Sequence, residues 1–420
     1  MTSTQRLDAP SVAVIGGGAA GLLAAGTAAR SGARVTVIER NDRPGKKILI
    51  SGKGRCNVTN DCTPAEFINN VTKNARFLYS AINRFSPQDM KDLLTELGVE
   101  LKTERGRRVF PRSDKSADIL SALLRYASGC RFLRAKATGI RVENGRVAGV
   151  ETADGSHPFD VVILATGGAS YPLTGSDGSG YALARDVGHT VTALTPSLVP
   201  LVSPSPLCRE MQGLSLKNVA LTLFDRDKAI YRDFGEMLFT HFGMSGPMIL
   251  SASAHLRSAD FTSVRVEIDL KPALDEQTLE RRLLSDFSKY VNRDAQNALS
   301  DLLPQKMILP FLTQATVDPR KKINALTRAE RASMLHTLKH FSIPVSGFRP
   351  IEEAIVTSGG VSVKEIDPKT MGSRLVDGLF FAGEVIDVDA YTGGFNLQIA
   401  FSTGYVAGQS AAENRSNDKK

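Results

Sequence analysis

The sequence predicts an α/β fold in which a parallel-sheet domain, made of both chain ends, is interrupted by an inserted module. Continuous apolar runs at Asp160–Ala165 and Gly378–Ala382 are typical of strands that are buried on both faces of a parallel sheet. Between these runs, residues 195–275 carry many prolines and short alternating segments, whereas residues 276–340 have a helical and basic pattern. A chain of 420 residues is also too long for one ordinary core.

The pattern predicts where the parts of the chain begin and end. We expect the first part of the parallel-sheet domain at 1–190, a β-rich insert at 191–275, a basic helical insert at 276–345, the second part of the parallel-sheet domain at 346–412, and a disordered tail at 413–420. Within the first part, the pattern predicts helices near 75–84, 86–97 and 116–128, and strands near 99–110 and 131–150. A further helix is expected from about 394 to 411.

The composition excludes several classes of protein. No apolar run approaches the roughly 18 to 20 residues of a membrane span, and the polar start followed by a short apolar stretch is not a signal peptide. The four cysteines, Cys56, Cys62, Cys130 and Cys208, form no C-x-x-C pair and have no histidine at zinc-finger spacing. We therefore expect no metal site and a reducing cytoplasm, while a monomer and a small homo-oligomer both remain open.

The first 40 residues carry the most specific motif. A short apolar strand at 11–15, a helix at 19–31 and an alternating strand at 33–39 form a predicted β-α-β unit. Gly16 to Gly21 matches G-x-G-x-x-G at the first strand-to-helix turn, which is the fingerprint of a Rossmann-type dinucleotide site. The helix N-terminus would face the pyrophosphate, and Glu39 would accept the adenosine ribose hydroxyls and repel a 2′-phosphate.

Two later segments favour FAD over NAD as the bound dinucleotide. The segment Val161–Gly168 is an apolar strand that ends in Ala-Thr-Gly, and Gly378–Gly394 is a strand followed by Gly383-Glu384 and a glycine pair before a helix. Glu384 could accept a ribityl hydroxyl, and the helix N-terminus after Gly394 could face the flavin atoms that gain negative charge on reduction. The predicted cofactor contacts are Gly16, Gly18, Ala19, Ala20, Gly21, Glu39, Arg40, Lys47, Gly54, Cys56, Ala165, Thr166, Gly167, Gly383, Glu384, Gly394, Asn396 and Leu397.

The chain resembles the BaiN/RdsA-type flavoproteins, which include aminoacetone-oxidase-like members. The segments that carry the resemblance keep their order along nearly the whole chain: Ser51–Asn60, Gly106–Ser113, Pro196–Leu201, Gly235–Pro247, Thr357–Val363 and Gly383–Ala400. The resemblance implies FAD, an interrupted cofactor domain and no second full nucleotide-binding domain. One departure is Phe395, where the family more often has tyrosine.

The resemblance suggests two reductions with a common chemistry: that of an unsaturated steroid ketone and that of a uracil base in large-subunit rRNA, which yields dihydrouridine. Each saturates a C=C bond conjugated to a carbonyl, so a side chain must donate a proton. Cys56 is the first candidate and His241 the second, although Cys56 could be a small core residue and His241 a turn anchor. Arg55 and Lys53 could offset charge on the reduced flavin or bind phosphate, or could belong to a solvated loop.

The distribution of charge favours RNA as a partner. The net charge is +8, with +6 in residues 281–340 and +4 in residues 101–115, which is the pattern of a polyanion-binding surface or of a merely solubilising helical face. We therefore rank an FAD-dependent rRNA reductase first, a small-molecule flavin oxidase or reductase second, and a non-catalytic FAD-bearing RNA-binding or assembly factor third. NADPH or NADH would be the electron donor, or a separate reductase would supply electrons.

Overall fold

The computed structural model describes residues 9–257 and 259–414, which form two compact units. Unit 1 contains the chain up to Ser197 and again from Ile351, and unit 2 is Leu198–Pro350. The boundaries of the insertion thus lie a few residues beyond the positions 190 and 345 that the sequence suggested. Of the predicted tail, residues 415–420 lie outside the described residues.

The first part of unit 1 has the following strands: β1 (Ser11–Ile15), β2 (Arg34–Glu39), β3 (Thr59–Asn60), β4 (Val71–Lys73), β5 (Leu101–Glu104), β6 (Arg108–Pro111), β7 (Arg131–Arg134), β8 (Ala137–Glu143), β9 (Arg146–Thr152), β10 (Gly155–Pro158), β11 (Val161–Leu164) and β12 (Thr195–Ser197). Its helices are α1 (Ala19–Arg30), α2 (Lys46–Ile50), α3 (Pro64–Ile68), α4 (Tyr79–Arg84), α5 (Pro87–Glu96), α6 (Ser116–Tyr126) and α7 (Ser179–Asp186).

Unit 2 has the strands β13 (Leu201–Val202), β14 (Ser215–Asp225), β15 (Lys228–Thr240), β16 (Gly243–Ser245), β17 (Val264–Asp269), β18 (Phe341–Pro344) and β19 (Gly347–Phe348). Its helices are α8 (Pro206–Glu210), α9 (Pro247–Ser253), α10 (Glu276–Lys289), α11 (Ala295–Ala298), α12 (Gln305–Gln314) and α13 (Arg328–Lys339). The chain then returns to unit 1 with β20 (Val356–Ser358), β21 (Leu379–Phe381), β22 (Asp389–Ala390) and α14 (Phe395–Glu413).

The centre of unit 1 is a five-stranded sheet in the order β21-β11-β1-β2-β7, with every pairing parallel. The strands β11 and β21 are wholly buried, and β1 is buried from its second residue, because helices and loops cover both faces of such a sheet. The last strand of the sheet comes from the far end of the chain. The carboxyl ends of β1, β11 and β21 therefore lie side by side at one edge of the sheet.

Helix α14 packs closely along α1, and two glycines make this approach possible. A Cβ atom on Gly404 would lie 2.5 Å from the carbonyl oxygen of Ala20, and one on Gly408 would lie 2.4 Å from that of Ala24. Any side chain at these positions would push the helices apart. Although α14 has 19 residues and is mostly buried, no helix among residues 9–257 and 259–414 is long and apolar enough to cross a membrane.

The two crossings into and out of the insertion are neighbours within unit 1. Strands β12 and β20 pair antiparallel, with Thr195 opposite Ser358 and Ser197 opposite Val356. The side chain of Asp389, which is buried, accepts hydrogen bonds from the hydroxyl groups of Ser197 and Ser358. Unit 1 is thus closed at the point where the chain leaves it and returns.

Unit 2 is built on a seven-stranded antiparallel sheet in the order β18-β17-β14-β15-β16-β13-β19. Its hydrophobic core combines strand residues such as Leu221 and Phe239 with helix residues such as Leu283 and Phe311. The predicted β-rich and helical inserts therefore share one core. The apolar faces of the helices and of the sheet each need the other for burial, so the change in sequence pattern near residue 276 marks no domain boundary.

Candidate cofactor site

A cleft opens in unit 1 where the central strands end. Its walls include Gly16 after β1, Ala165 after β11 and Gly383 after β21. The cleft encloses about 1370 Å³ of space, part of which is open solvent. Ligands of open α/β sheets bind outside the carboxyl ends of the strands, so this cleft is the expected place for a dinucleotide.

Most of the cofactor contacts that the sequence predicts line this cleft. They are Gly16, Gly18, Ala19, Ala20, Glu39, Arg40, Lys47, Ala165, Thr166, Gly167, Gly383, Glu384, Asn396 and Leu397. Gly21, Gly54, Cys56 and Gly394 are not part of its lining. A Cβ atom on Gly394 would lie 2.3 Å from the carbonyl oxygen of Thr59, so this glycine permits close packing within unit 1.

The glycines of the first turn meet different requirements. Gly16 has a φ of 104° and a Cβ there would lie 2.5 Å from the carbonyl oxygen of Ala165, so no other residue fits. A Cβ on Gly21 would lie 1.8 Å from the carbonyl oxygen of Gly16, which keeps α1 tight against the turn. Around Gly18, in contrast, no protein atom lies within 4 Å of an added Cβ. The open space at Gly18 belongs to the cleft.

The N-terminus of α1 suits a pyrophosphate. Its N-cap residue, Gly18, provides no capping side chain, and no acidic residue occurs in the first turn. Ala19 and Ala20 line the cleft, so the first backbone N–H groups of the helix face it without a side-chain partner. A helix N-terminus of this kind carries a partial positive charge and offers donors to phosphate oxygens.

Glu39 holds the glycine turn in place. Its Oε2 accepts a hydrogen bond from the backbone N–H of Gly17 at 2.7 Å, and its Oε1 accepts two from Asn41, each at 2.8 Å. A carboxylate oxygen has two lone pairs, so Oε2 still has capacity for a ribose hydroxyl. The same side chain thus positions the turn and remains available at the cleft.

A second set of polar side chains also belongs to the cleft lining. The Nζ atom of Lys47 donates to Glu384 Oε2 at 2.8 Å and to the hydroxyl of Ser170 at 2.7 Å. The other carboxylate oxygen of Glu384 accepts from the backbone N–H of Thr357 at 2.8 Å. Residues from three distant parts of the sequence therefore fix one ammonium group and one carboxylate beside the cleft.

The charge of the lining favours an anionic ligand. Four cationic side chains, Arg40, Lys46, Lys47 and Lys136, line the cleft together with only two acidic ones, Glu39 and Glu384. Arg40 and Lys46 also form ion pairs with Asp177 and Asp42, which lie outside the lining, so the lining offers cationic donors to phosphate oxygens rather than a large net charge. The uncapped helix, the open space at Gly18 and these cationic donors together fit FAD. Among the described residues, no group of three or more His, Cys, Asp and Glu side chains is placed to bind a metal ion.

Cys56 has no exposed surface and lies in a hydrophobic cluster with residues such as Ile48 and Val109. Burial raises the pKa of its thiol to about 11. Since the side chain contacts neither solvent nor the cleft, its position favours the interpretation that Cys56 is a small residue of the hydrophobic core. A catalytic or cofactor-binding role for Cys56 stays a prediction without support from the geometry.

Arg55 is occupied by a structural role. Its guanidinium forms ion pairs with Glu104 and with Asp114, the latter at 2.6 Å, and lies 4.2 Å from the centre of the Phe110 ring. These partners belong to the β5–β6 hairpin and the turn after it, so Arg55 fastens the loop to the hairpin. The neighbouring Lys53 is exposed and, like Arg55, does not line the cleft.

His241 lies in unit 2, in the tight turn that joins β15 to β16. Its ring is exposed and makes an edge contact with Phe242 at a centroid distance of 5.0 Å. The Phe242 ring in turn lies 4.7 Å from the guanidinium of Arg349. This placement fits a turn anchor and also leaves the imidazole accessible to a substrate.

Several residues of the cleft were not predicted from the sequence. Asn41 and Lys46 lie in the basic connection after β2, and Lys136 follows β7. Thr174, Gly175 and Ser176 come from the loop after β11. The signal for Lys136 was available in principle, because a residue that follows a parallel strand lies at the same edge as the other carboxyl ends. The position of Lys136 at this edge depends on the parallel pairing of β7 with β2.

Comparison with known proteins gives consistent results. A family model described as the HI0933-like protein Rossmann domain matches residues 10–410. The 3-dehydro-bile acid delta(4,6)-reductase of Clostridium scindens is 33% identical over 411 residues, which cover 96% of this chain and 99% of that protein. The ribosomal RNA dihydrouridine synthase of Escherichia coli is 30% identical over 419 residues, with 96% and 98% covered.

Solved structures agree on the fold. A 3-ketosteroid-delta4-(5alpha)-dehydrogenase from Rhodococcus jostii RHA1 superimposes with a TM-score of 0.52 at 18% identity, covering 96% of each chain. A flavocytochrome c3 fumarate reductase has the same TM-score at 16% identity, covering 97% of this chain and 79% of its own. At such identities, these structures support the interrupted α/β architecture and nothing finer.

Proposed function

Since this chain belongs to the HI0933-like Rossmann family of FAD-dependent oxidoreductases, we propose that it reduces a C=C bond conjugated to a carbonyl, with uridine in large-subunit rRNA as its substrate. The observation that carries the proposal is the end-to-end match to two relatives whose names describe one chemistry. Formation of dihydrouridine saturates the uracil C5=C6 bond, and a 3-dehydro steroid reductase saturates bonds conjugated to a ring ketone.

The residues of the cleft would hold FAD by groups of known chemistry. The N-terminus of α1 at Gly18 and Ala19 would bind the pyrophosphate, and Glu39 would accept the adenosine ribose hydroxyls. When bound, FAD supplies the two electrons that saturate the substrate bond. The ammonium group of Lys47, which lines the cleft, would supply a positive charge that offsets the negative charge added by reduction.

The reduction of one uracil needs two electrons and two protons. We propose NADPH or NADH as the source of the electrons, and transient contact for this donor, because the sequence has no second G-x-G-x-x-G unit. The proton for the carbon next to the carbonyl must come from an accessible acid. His241 is exposed and Cys56 is not, so we propose His241 as the proton donor.

The charge of the chain favours RNA over a small neutral substrate. The sequence pI is about 9.3 and the net charge is +8, as expected of a protein that binds phosphate groups. A uridine must leave its stack before a flavin can reach it, so protein-free rRNA is the form that would present it most easily. We place the reaction in the cytoplasm, in keeping with four free cysteines.

A second candidate is the reduction of a small unsaturated ring ketone. The bile-acid reductase is 33% identical to this chain and is covered almost completely, so the same cleft could serve a steroid-sized enone. An oxidase that passes electrons to oxygen is the corresponding alternative on the oxidative side. The RNA and enone readings share the cofactor and the reaction type, and differ in the substrate.

One experiment separates these readings. The purified holoenzyme is reduced without oxygen and mixed in parallel with protein-free large-subunit rRNA, with a steroid dienone and with oxygenated buffer. We expect rapid reoxidation of the flavin by RNA, dihydrouridine in the recovered RNA, and slow reoxidation by the other two. Rapid reoxidation by the dienone alone would replace the RNA substrate with the enone, and rapid reoxidation by oxygen alone would indicate an oxidase.

A further inference from the structure

We propose that unit 2 binds the phosphate backbone of the RNA substrate through one basic surface, an inference that rests on the proposed function. This surface, called the unit 2 basic surface, consists of Arg293, Arg320, Lys322, Arg328 and Arg331. Four of the five side chains are exposed and Arg331 is partly exposed. The sequence indicated a basic stretch of about 60 residues, and the structure shows which of its charged residues lie on neighbouring segments.

The backbone brings these residues together. The segments 291–296 and 319–324 run antiparallel: the N–H of Ile323 donates to the carbonyl of Arg293 at 3.0 Å, and that of Ala295 donates to the carbonyl of Lys321 at 2.9 Å. Asp294 and Lys322 face each other across this pairing. Arg293 and Lys322 therefore lie on neighbouring segments.

Helix α13 extends the same surface. A single helical turn at Ile323–Ala325 leads from the paired segment to the start of α13 at Arg328. Lys321 and Glu330 form an ion pair at 2.7 Å, which ties the paired segment to the first turn of the helix. Arg328 and Arg331 are three residues apart and so lie on one side of α13. The positive charges thus continue from the paired segments onto the helix.

Most of these charges have no acidic partner. Within the part of the chain that the structure describes, no carboxylate forms an ion pair with Arg293, Arg320, Arg328 or Arg331, and only Lys322 has one, with Asp294 at 2.8 Å. In the other basic stretch, residues 101–115, three of the six basic side chains form ion pairs. There the carboxylates that pair with basic side chains are Asp114 with Lys102, Glu66 with Arg107 and Glu100 with Arg112.

The side chains around the charges favour a nucleic acid over other polyanions. The guanidinium of Arg293 lies 4.5 Å from the centre of the Tyr290 ring, which orients it while its donors stay exposed. The exposed amides of Asn292 and Asn324 lie next to it, 3.4 Å apart, and could bond to ribose or base edges. Such a mixture of guanidinium and amide donors matches the polar backbone and bases of RNA.

The test uses charge reversal with a matched control in the same unit. The first variant is Arg320→Glu/Arg328→Glu/Arg331→Glu, in which a glutamate in the first turn of α13 suits the helix dipole. A second, milder variant changes the same positions to Gln. The control, Arg209→Glu/Lys217→Glu/Lys228→Glu, makes the same change of net charge at exposed residues of unit 2 outside the surface. Flavin absorbance and thermal melting confirm that each holoenzyme is folded.

The probe is protein-free large-subunit rRNA, bound between 50 and 200 mM salt. Each phosphate contact contributes roughly 0.7 to 0.9 to the slope of log K against log salt, so loss of three contacts should make the slope shallower by about two. We expect the first variant to raise Kd at least tenfold, the Gln variant to raise it less, and the control to stay within about threefold of wild type. Reduction of the flavin by NADPH or NADH should be unchanged.

The outcomes distinguish the surface from the proposed function. Weakened RNA binding confined to the surface variants would support the surface. Equal weakening by the control would show that only net charge matters and would overturn it, as would binding that none of the variants changes. If wild type forms dihydrouridine and the surface variants bind RNA as tightly as wild type, the proposed RNA-binding surface is refuted and the proposed reductase function stands. If the surface variants lose RNA binding but wild type forms no dihydrouridine, the proposed reductase function is refuted and the RNA-binding surface stands.

Discussion

Replacing Gly18 by alanine should weaken FAD binding without harming the protein itself. An added Cβ meets no protein atom within 4 Å, and the φ of −81° and ψ of −166° at this position are open to alanine. Alanine is a poorer N-cap residue than glycine and lowers the free energy of unfolding by roughly 0.5 to 1 kcal/mol. Alanine also reduces the conformational entropy of the unfolded chain, which raises the free energy of unfolding by about 0.4 to 1 kcal/mol. The net change in stability of the apoprotein is therefore about zero.

The methyl group would occupy space that we assign to the pyrophosphate. Overpacking of this kind costs about 1 to 3 kcal/mol, which corresponds to a roughly 5- to 150-fold rise in the Kd for FAD. The assay is a titration of apoprotein with FAD followed by fluorescence, together with a thermal melt of the apoprotein. An unchanged Kd for the Gly18→Ala variant would refute our placement of the pyrophosphate.

The control for this prediction is Gly21→Ala. Its Cβ would lie 1.8 Å from the carbonyl oxygen of Gly16, so α1 would have to move away from the turn. We expect this variant to melt well below wild type even without FAD. If both variants melt like wild type and differ only in FAD affinity, close packing at Gly21 is not needed for the stability of the apoprotein.

Three further predictions concern individual side chains. Lys47→Met removes a positive charge from the cleft and leaves Glu384 without its cationic partner. In a spectroelectrochemical titration we expect the midpoint potential of the flavin to fall by about 30 mV or more. An unchanged potential would exclude electrostatic stabilisation of the reduced flavin by Lys47. Because Cys56 has no exposed surface and does not line the cleft, Cys56→Ser should keep most dihydrouridine formation. His241→Gln, in contrast, should lower the rate of dihydrouridine formation about 100-fold or more. The reverse order of effects would restore Cys56 as the proton donor. Burial lowers the pKa of His189 in the folded protein, so the imidazole of the unfolded chain is protonated at a higher pH than that of the folded chain. The free energy of unfolding, measured in urea, should therefore fall as the pH drops below about 6.5. A free energy of unfolding that rises on acidification would contradict this prediction.

The parts of the fold that could be predicted are those that local sequence determines. The first strand, helix and strand follow from alternation and from glycine positions within 30 residues, and the buried strands β11 and β21 follow from their apolar runs. The cleft residues next to these elements were found for the same reason. Helix α14 was expected to start near 394 and starts at Phe395.

The remaining features depend on contacts between distant residues. Arg55 is fastened by Glu104 and Asp114, and no spacing rule connects a loop residue with a hairpin about 50 residues away. Cys56 is buried because its loop packs against that hairpin, which a single-residue argument could not decide. The single core of unit 2 was missed because helices and strands that are separate in sequence pack against each other.

The position of β21 in the central sheet has a consequence for synthesis of the chain. Strand β11 leaves the ribosome long before β21, its neighbour, because all of unit 2 is made between them. At about 5 to 20 residues per second, the roughly 200 residues between β11 and β21 take on the order of 10 to 40 seconds. During this interval one edge of the nascent sheet is unpaired and α1 lacks α14. Unit 2 contains its own core, and the central sheet of unit 1 can be completed only after unit 2 has been made, although the first residues of unit 1 are made earliest.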